Sequence, residues 1–315
     1  MKKLISYFIL IAVVLAVVSC KENNNVPEPA VPVSKEDSIK ALLLKPVPTK
    51  EPYITLEDDG FEAELIAQGI DTDNQINGRI ALEDVGKTEN FGRPVVIQPN
   101  SKEAEYYKPM LTRYTEVMPL LKKEFKGKTG TELIVKQITD INKFKKLKYL
   151  YLNFSINPVD SLDLSANTQL EIFETSDAQI KVINFDNCKQ IKKINFGYST
   201  HPLKTTILHK IYVSKCPGLE YLSYNGDPRT LDISLNTNLK YLQIVNRGDL
   251  NPLKLEKLDL CNNPHLASLF VEVSYYKDVY LSKGVYATYE NSKKQNLPNG
   301  FPLLDATGAL VNVCK

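Results

Sequence analysis

Apolar residues recur through the second half of the chain in a frame that neither a single helix nor a single strand would produce. The template L-x-L-x-x-[NC]-x-x-L-x-x-L, with Ile, Val or Phe allowed at the apolar positions, occurs five times. Its copies begin at Leu162, Ile183, Ile211, Leu231 and Leu258, which are 21, 28, 20 and 27 residues apart. Residues two apart in an extended segment point the same way, so Leu162 and Leu164 face one interior, and Leu170 and Phe173 return the chain to it. One such turn cannot bury its own apolar row, whereas turns stacked about 4.8 Å apart cover one another. The pattern thus predicts a coil over residues 132–283. A polar column, Asn167, Cys188, Cys216, Asn236 and Asn263, falls where each turn must bend. A buried amide there can donate to, and accept from, the backbone of the corner.

Residues 51–131 lack this frame. The run Phe61–Ala67 predicts a short amphipathic helix, and Ser101 is placed to cap a longer one reaching Phe125, interrupted at Pro109 and Pro119.

The repeat resembles the leucine-rich-repeat family, whose frame is LxxLxLxxNxL, and is most similar to the short nested repeats of bacterial surface lipoproteins. LKYLYLNFS at 147–155 and INPVDSLDLSANTQL at 156–170 carry the likeness best, and it extends over about 138–283. The resemblance implies a leucine-rich-repeat solenoid: a right-handed, β-dominated β/α superhelix. Residues 51–131 would be its small, mainly helical N-terminal cap and 284–315 its C-terminal cap. It also implies a protein partner more often than any other. The two long turns would place their extra residues, 199–208 and 246–252, in loops suited to binding.

A second likeness lies within the cap. DNQINGRIALED, read from Asp73, resembles the twelve-residue calcium loop of EF-hands, with Asp73, Gln75, Asn77 and Asp84 as ligands and Gly78 and Ile80 in their usual places. Gln75 and Asp84 are weaker ligands than the pattern asks, so this resemblance implies either weak Ca2+ binding, ~10⁻⁴–10⁻³ M, or a relic loop. No cofactor is otherwise required.

The chain opens with Lys2 and Lys3, followed by 16 uncharged residues from Leu4 to Ser19, short of the ~20 that span a bilayer. Residues 1–19 thus read as a secretory signal. The sequence Val17-Val18-Ser19-Cys20 resembles a lipobox, which implies an acylated Cys20 as the mature N-terminus. At ~0.8 kcal/mol per buried methylene, such an anchor holds a soluble domain on a membrane without a spanning helix. Residues 20–50, proline-rich near the start, would form a tether. The expected location is extracytoplasmic, on the outer membrane or cell surface of a Gram-negative bacterium.

Composition then excludes several classes of function. Lys+Arg 39 against Asp+Glu 37 becomes 37 against 37 once Lys2 and Lys3 leave with the signal, so no overall positive field points to nucleic acid. Three histidines and no tryptophan disfavour histidine-rich metal catalysis and tryptophan-floored sugar clefts. Neither GxSxG nor HExxH occurs, and the two Gly-Lys-Thr triplets lack the leading glycine of a phosphate loop, having Ala81 and Lys122 instead. The chain is expected not to be an enzyme.

Tyr149, Tyr221 and Tyr241 share one slot of the repeat and should point outward by alternation, with Tyr151 in the next outward slot. They form either a glycan platform or a supporting aromatic ladder. Cys188 and Cys216 read as buried thiols, while Cys261 and Cys314 are a candidate disulfide.

Overall fold

The structure, a computed structural model, describes residues 47–94, 97–152, 159–176, 180–197, 208–225, 231–245, 255–271, 276–293 and 310–315. Cys20, the signal segment, residues 21–46, loop residues 199–207 and the whole of 246–252 lie outside the described residues.

The chain begins with strand β1 (Tyr53–Thr55) and helix α1 (Asp59–Gln68). Strand β2 (Arg79–Ala81), which pairs antiparallel with β1, helix α2 (Leu82–Lys87) and strand β3 (Asn90–Phe91) follow. Helix α3 (Lys102–Thr129) completes the cap. Asp58 caps α1 by accepting from the Phe61 N–H at 2.8 Å, and Gly69 ends it in the left-handed region at φ 77°.

Two expectations for the cap need correction. Helix α1 is not amphipathic: Gly60 to Ala67 are all buried, because Glu62 and Glu64 find partners inside the cap. Helix α3 is not interrupted at its prolines but continues for 28 residues through Pro109 and Pro119. Both rings lie on the exposed side, as do Glu105 and Thr115, whose carbonyls the missing N–H groups would have met, so water can take over those bonds.

After a 3-10 turn (Thr139–Lys143), strands β4 (Tyr149–Leu152), β5 (Val159–Asp163), β6 (Ile172–Thr175), β7 (Ile180–Asn184), β8 (Lys193–Phe196) and β9 (Lys210–Tyr212) follow. Then come β10 (Tyr221–Asn225), β11 (Tyr241–Val245), β12 (Leu255–Leu260), β13 (Ser268–Val271), β14 (Tyr276–Leu281), helix α4 (Lys283–Lys293) and β15 (Leu310–Val313). The seven-stranded sheet has the order β13-β11-β10-β8-β6-β4-β3 and is parallel at every pairing. Two three-stranded parallel sheets, β5-β7-β9 and β12-β14-β15, hold the other strands of the windings. The result is a β-rich, solenoid-like fold.

Register accounts for the period. Phe91, Leu150, Phe173, Ile194, Leu222, Leu242 and Leu269 are successive cross-strand partners, and each is fully buried. At about 1.5–3 kcal/mol for each large side chain taken out of water, this row is the main reason the windings hold together. Leu162, Ile183 and Ile211 pair in the same way, but Leu258 pairs with Val279 in the third sheet. Leu231 packs against the core from outside any strand, so the first-leucine row is split between two sheets. All five nevertheless join one continuous core that runs from Leu56 and Phe61 to Val285 and Tyr289.

The polar column occupies the corners. Asn167 Nδ2 donates to Ile141 O (3.0 Å) and Phe144 O (2.9 Å). Asn236 Nδ2 donates to Val213 O (2.9 Å) and Cys216 O (2.8 Å), and Asn263 Nδ2 to Ile233 O (3.1 Å) and Asn236 O (2.9 Å). Cys188 and Cys216 each donate one thiol hydrogen bond, to Leu164 O and Phe185 O, both at 3.2 Å. The asparagines donate only: Oδ1 of each is buried without a partner, where acceptance was also expected.

The cap closes the first winding. Phe61 lies against Phe91 (ring centroids 5.5 Å) and edge-on to Phe144 (6.3 Å). Asp58 accepts from the N–H groups of Lys136 and Gln137, and Asp140 returns the tie by accepting from the Glu57 N–H at 2.8 Å. At the far end Cys261 and Cys314 are joined by a disulfide, Cα–Cα 5.7 Å, which fastens the β15 segment to the last repeat corner.

Candidate functional site

The outer wall of the seven-stranded sheet brings aromatic, charged and amide side chains together. Because alternate residues of a strand face opposite ways, the inward leucines leave Tyr149, Ile172, Lys193, Tyr221, Tyr241 and Ser268 as one cross-strand row on that wall. All six are half-buried. Tyr221 and Tyr241 stack with ring centroids 4.2 Å apart and planes 2° from parallel. Lys193 Nζ lies 5.3 Å over the Tyr221 ring and pairs with Glu174 at 2.5 Å. Gln243 Oε1 accepts from Ser223 Oγ (2.9 Å) and Tyr241 Oη (3.3 Å). Burial and the neighbouring Tyr241 raise the Tyr221 hydroxyl above its ordinary range, so this phenol stays neutral.

The predicted tyrosines do not form one platform. Tyr149 is separated from Tyr221 by Ile172 and Lys193 on the two intervening strands. Tyr151 is only 4% exposed, since Tyr107 of α3 packs edge-on against it at 6.2 Å. The cap therefore covers this end of the wall, and Tyr151 is a packing residue. Ser223 and Gln243 fall in the outward slot next to the tyrosines, whose mixed residues suit a partner-specific face or plain solvent exposure alike. Lys193 stands where the tyrosine column breaks, which reads as noise until register is known.

The EF-hand-like loop is held by hydrogen bonds of its own. Asp73 Oδ2 accepts from Thr49 Oγ1 (2.5 Å) and Asn77 Nδ2 (3.0 Å), and its Oδ1 accepts from the Gln75 N–H (2.8 Å). The Gln75 amide donates away from the loop to Val47 O, and Asp84 Oδ2 accepts from the Thr72 hydroxyl (2.7 Å). So placed, Asp73 and Asp84 accept from the chain's own donors, while the Gln75 and Asn77 amides donate to Val47 O, Thr49 Oγ1 and Asp73 Oδ2. Glu62 of α1 closes the loop, accepting from the N–H groups of Asn77, Gly78 and Arg79. Burial raises the Glu62 carboxyl to about 7 despite those three bonds. Burial and then the charge of Asp73 raise Asp71 to about 8, and Asp71 Oδ2 has no partner.

Cys188 and Cys216 are free thiols on neighbouring windings, raised to about 12 by burial. Cys261 is spent in its disulfide, so it offers neither a nucleophile beside His265 nor a metal ligand beside Asp259. Among the described residues no helix is long and apolar enough to cross a membrane.

No protein-family model matches the chain, and no curated protein does. Among solved structures, the functional domain of InlJ from Listeria monocytogenes, described as including a cysteine ladder, is similar at 16% identity and a TM-score of 0.25. The match covers 73% of this chain and 57% of that one, so the chain spans little more than half the length of its neighbour.

Proposed function

We propose that the chain is a leucine-rich-repeat surface lipoprotein, a right-handed solenoid held on the membrane through an acylated Cys20, and that it binds a protein partner without catalysis. One observation carries the reading: the seven-stranded wall presents a mixed strip of Lys193, Tyr221, Tyr241 and Gln243 at fixed cross-strand spacing, with Glu174 buried against Lys193. Charge, hydroxyls and aromatic surface side by side suit the hot spots of a protein interface.

Glycan capture on the tyrosines is the second reading. It is disfavoured by the same geometry, because Tyr221 and Tyr241 turn their faces toward each other at 4.2 Å and Lys193 lies over the outer face of Tyr221. A sugar that stacks on an aromatic ring needs a free face, and only Tyr241 retains one on the Ser268 side.

The test places a photo-crosslinking residue at Gln243 on the wall and, as a control, at Lys181 on the opposite sheet, in the protein at its native surface. A defined protein adduct from Gln243 and none from Lys181, lost in a Lys193→Ala/Tyr241→Ala background, supports the reading. Equal adducts from both positions, or binding only of oligosaccharides, contradicts it. Loss of radiolabelled fatty acid in Cys20→Ala tests the anchor.

A further inference from the structure

A cleft of about 700 Å³ opens in the cap between the C-terminal end of α1, β3 and the first half of α3, beside the end of the sheet wall that Tyr107 covers. Its size falls in the range that holds a small organic ligand, and Ile70, Tyr107, Pro109 and Met110 give it an apolar lining.

Four charged side chains border this space; two are paired with opposite charges within the fold and Asp84 is held by neutral donors. Lys87 pairs with Glu83, Glu89 pairs with Lys148 at 3.0 Å, and Asp84 accepts from the Thr72 hydroxyl and N–H. Arg113 is different. Its Nε and Nη2 donate to Ile66 O at 3.2 and 3.1 Å, and Nη2 also donates to Asn74 Oδ1 at 2.6 Å. Those bonds cap the negative end of α1 but supply no anion. Among the described residues Nη1 has no hydrogen-bond partner, and burial depresses the guanidinium. A half-buried cation beside an apolar hollow is costly unless a counter-charge arrives from elsewhere.

We propose that this cleft binds a small monoanionic organic carboxylate, its charged group on Arg113 Nη1 and its apolar body against Ile70, Pro109 and Met110. A single free nitrogen suits one carboxylate group, and Asp84 and Glu89 on the same rim would repel a phosphate dianion. This site is independent of the wall, so either can fail without the other.

The test is fluorine NMR on the full mature chain with para-fluorophenylacetate, its neutral amide and para-fluorophenyl phosphate. Saturable broadening of the carboxylate at least tenfold tighter than that of the amide, and weakened by added salt, is expected. Arg113→Gln should abolish that preference. Because this variant also removes a helix cap, its melting temperature is measured in parallel. Met110→Trp, which fills the hollow and leaves Arg113 in place, should weaken binding at least tenfold in a folded cap. No binding up to ~10 mM, equal binding of acid and amide, or tighter binding of the phosphate overturns the proposal. A drop in melting temperature for Arg113→Gln with acid and amide indistinguishable in the wild type assigns Arg113 to capping alone, and overturns it as well.

Discussion

At the corners of the coil, the buried polar side chains are neutral donors. Asn167, Asn236 and Asn263 each give two N–H bonds to the preceding winding, and Cys188 and Cys216 give one thiol bond each. In the cap, the corresponding interior groups are acids. Glu62 closes a loop, Asp71 has an unpaired oxygen, and Glu64 sits between α1 and α3 with Tyr114 Oη donating to it at 3.0 Å. The coil can repeat its corner because the buried donor of each copy is uncharged. The cap is built once, and its stability is tied to the protonation of buried carboxyls.

The sharpest way to separate the two regions is pH. Burial raises Glu64 from its ordinary 4.5 to about 7, opposed by the Tyr114 hydrogen bond and Lys122. A carboxyl whose folded value lies above its unfolded one favours the fold while protonated. The stability it confers is complete below about pH 4.5 and is lost as pH rises through about 7. Glu62 and Asp71 act in the same direction, up to about 7 and about 8. For Glu64 alone the loss is about 2–3 kcal/mol between mildly acidic and mildly basic solution. Urea denaturation of Glu64→Gln should show the slope reduced by that amount, with the share of Glu62 and Asp71 remaining. A slope that survives unchanged would mean Glu64 is solvated.

Within the coil the expected effects are smaller and independent of pH. Asn236→Ala orphans two carbonyls and should cost about 2 kcal/mol by equilibrium unfolding, partly offset by relief of the unpaired Oδ1. Cys216→Ala loses one weak bond and should cost about 1 kcal/mol. Equal costs would show that the column is held by packing and not by its donors. Smallest of all, maleimide should leave Cys188 and Cys216 unlabelled in the native protein, because burial holds both thiols at about 12.

What could be read from the sequence follows the same division. Period made the coil visible: the register partners Phe173, Ile194, Leu222, Leu242 and Leu269 are the template's last apolar position in each copy. Alternation likewise foretold the Tyr221–Tyr241 stack. The cap has no copies to compare, so tertiary context decided it. Glu62 and Glu64 look like the polar face of a short helix until the loop at 77–79 and Tyr114 enclose them. Pro109 and Pro119 look like breaks until their exposed side is known. Tyr151 shared its alternation with exposed residues, and nothing in its own segment signalled that Tyr107 would cover it.

Hydrogen exchange across α3 and the strands β6, β8 and β10, corrected for intrinsic rates and followed from about pH 5 to about pH 8, tests the contrast between the two regions most directly. Amides of 102–129 should lose protection as pH rises, while those of the three strands keep theirs. Loss of protection in both regions together, or in neither, would contradict the division into a neutral coil and a titratable cap.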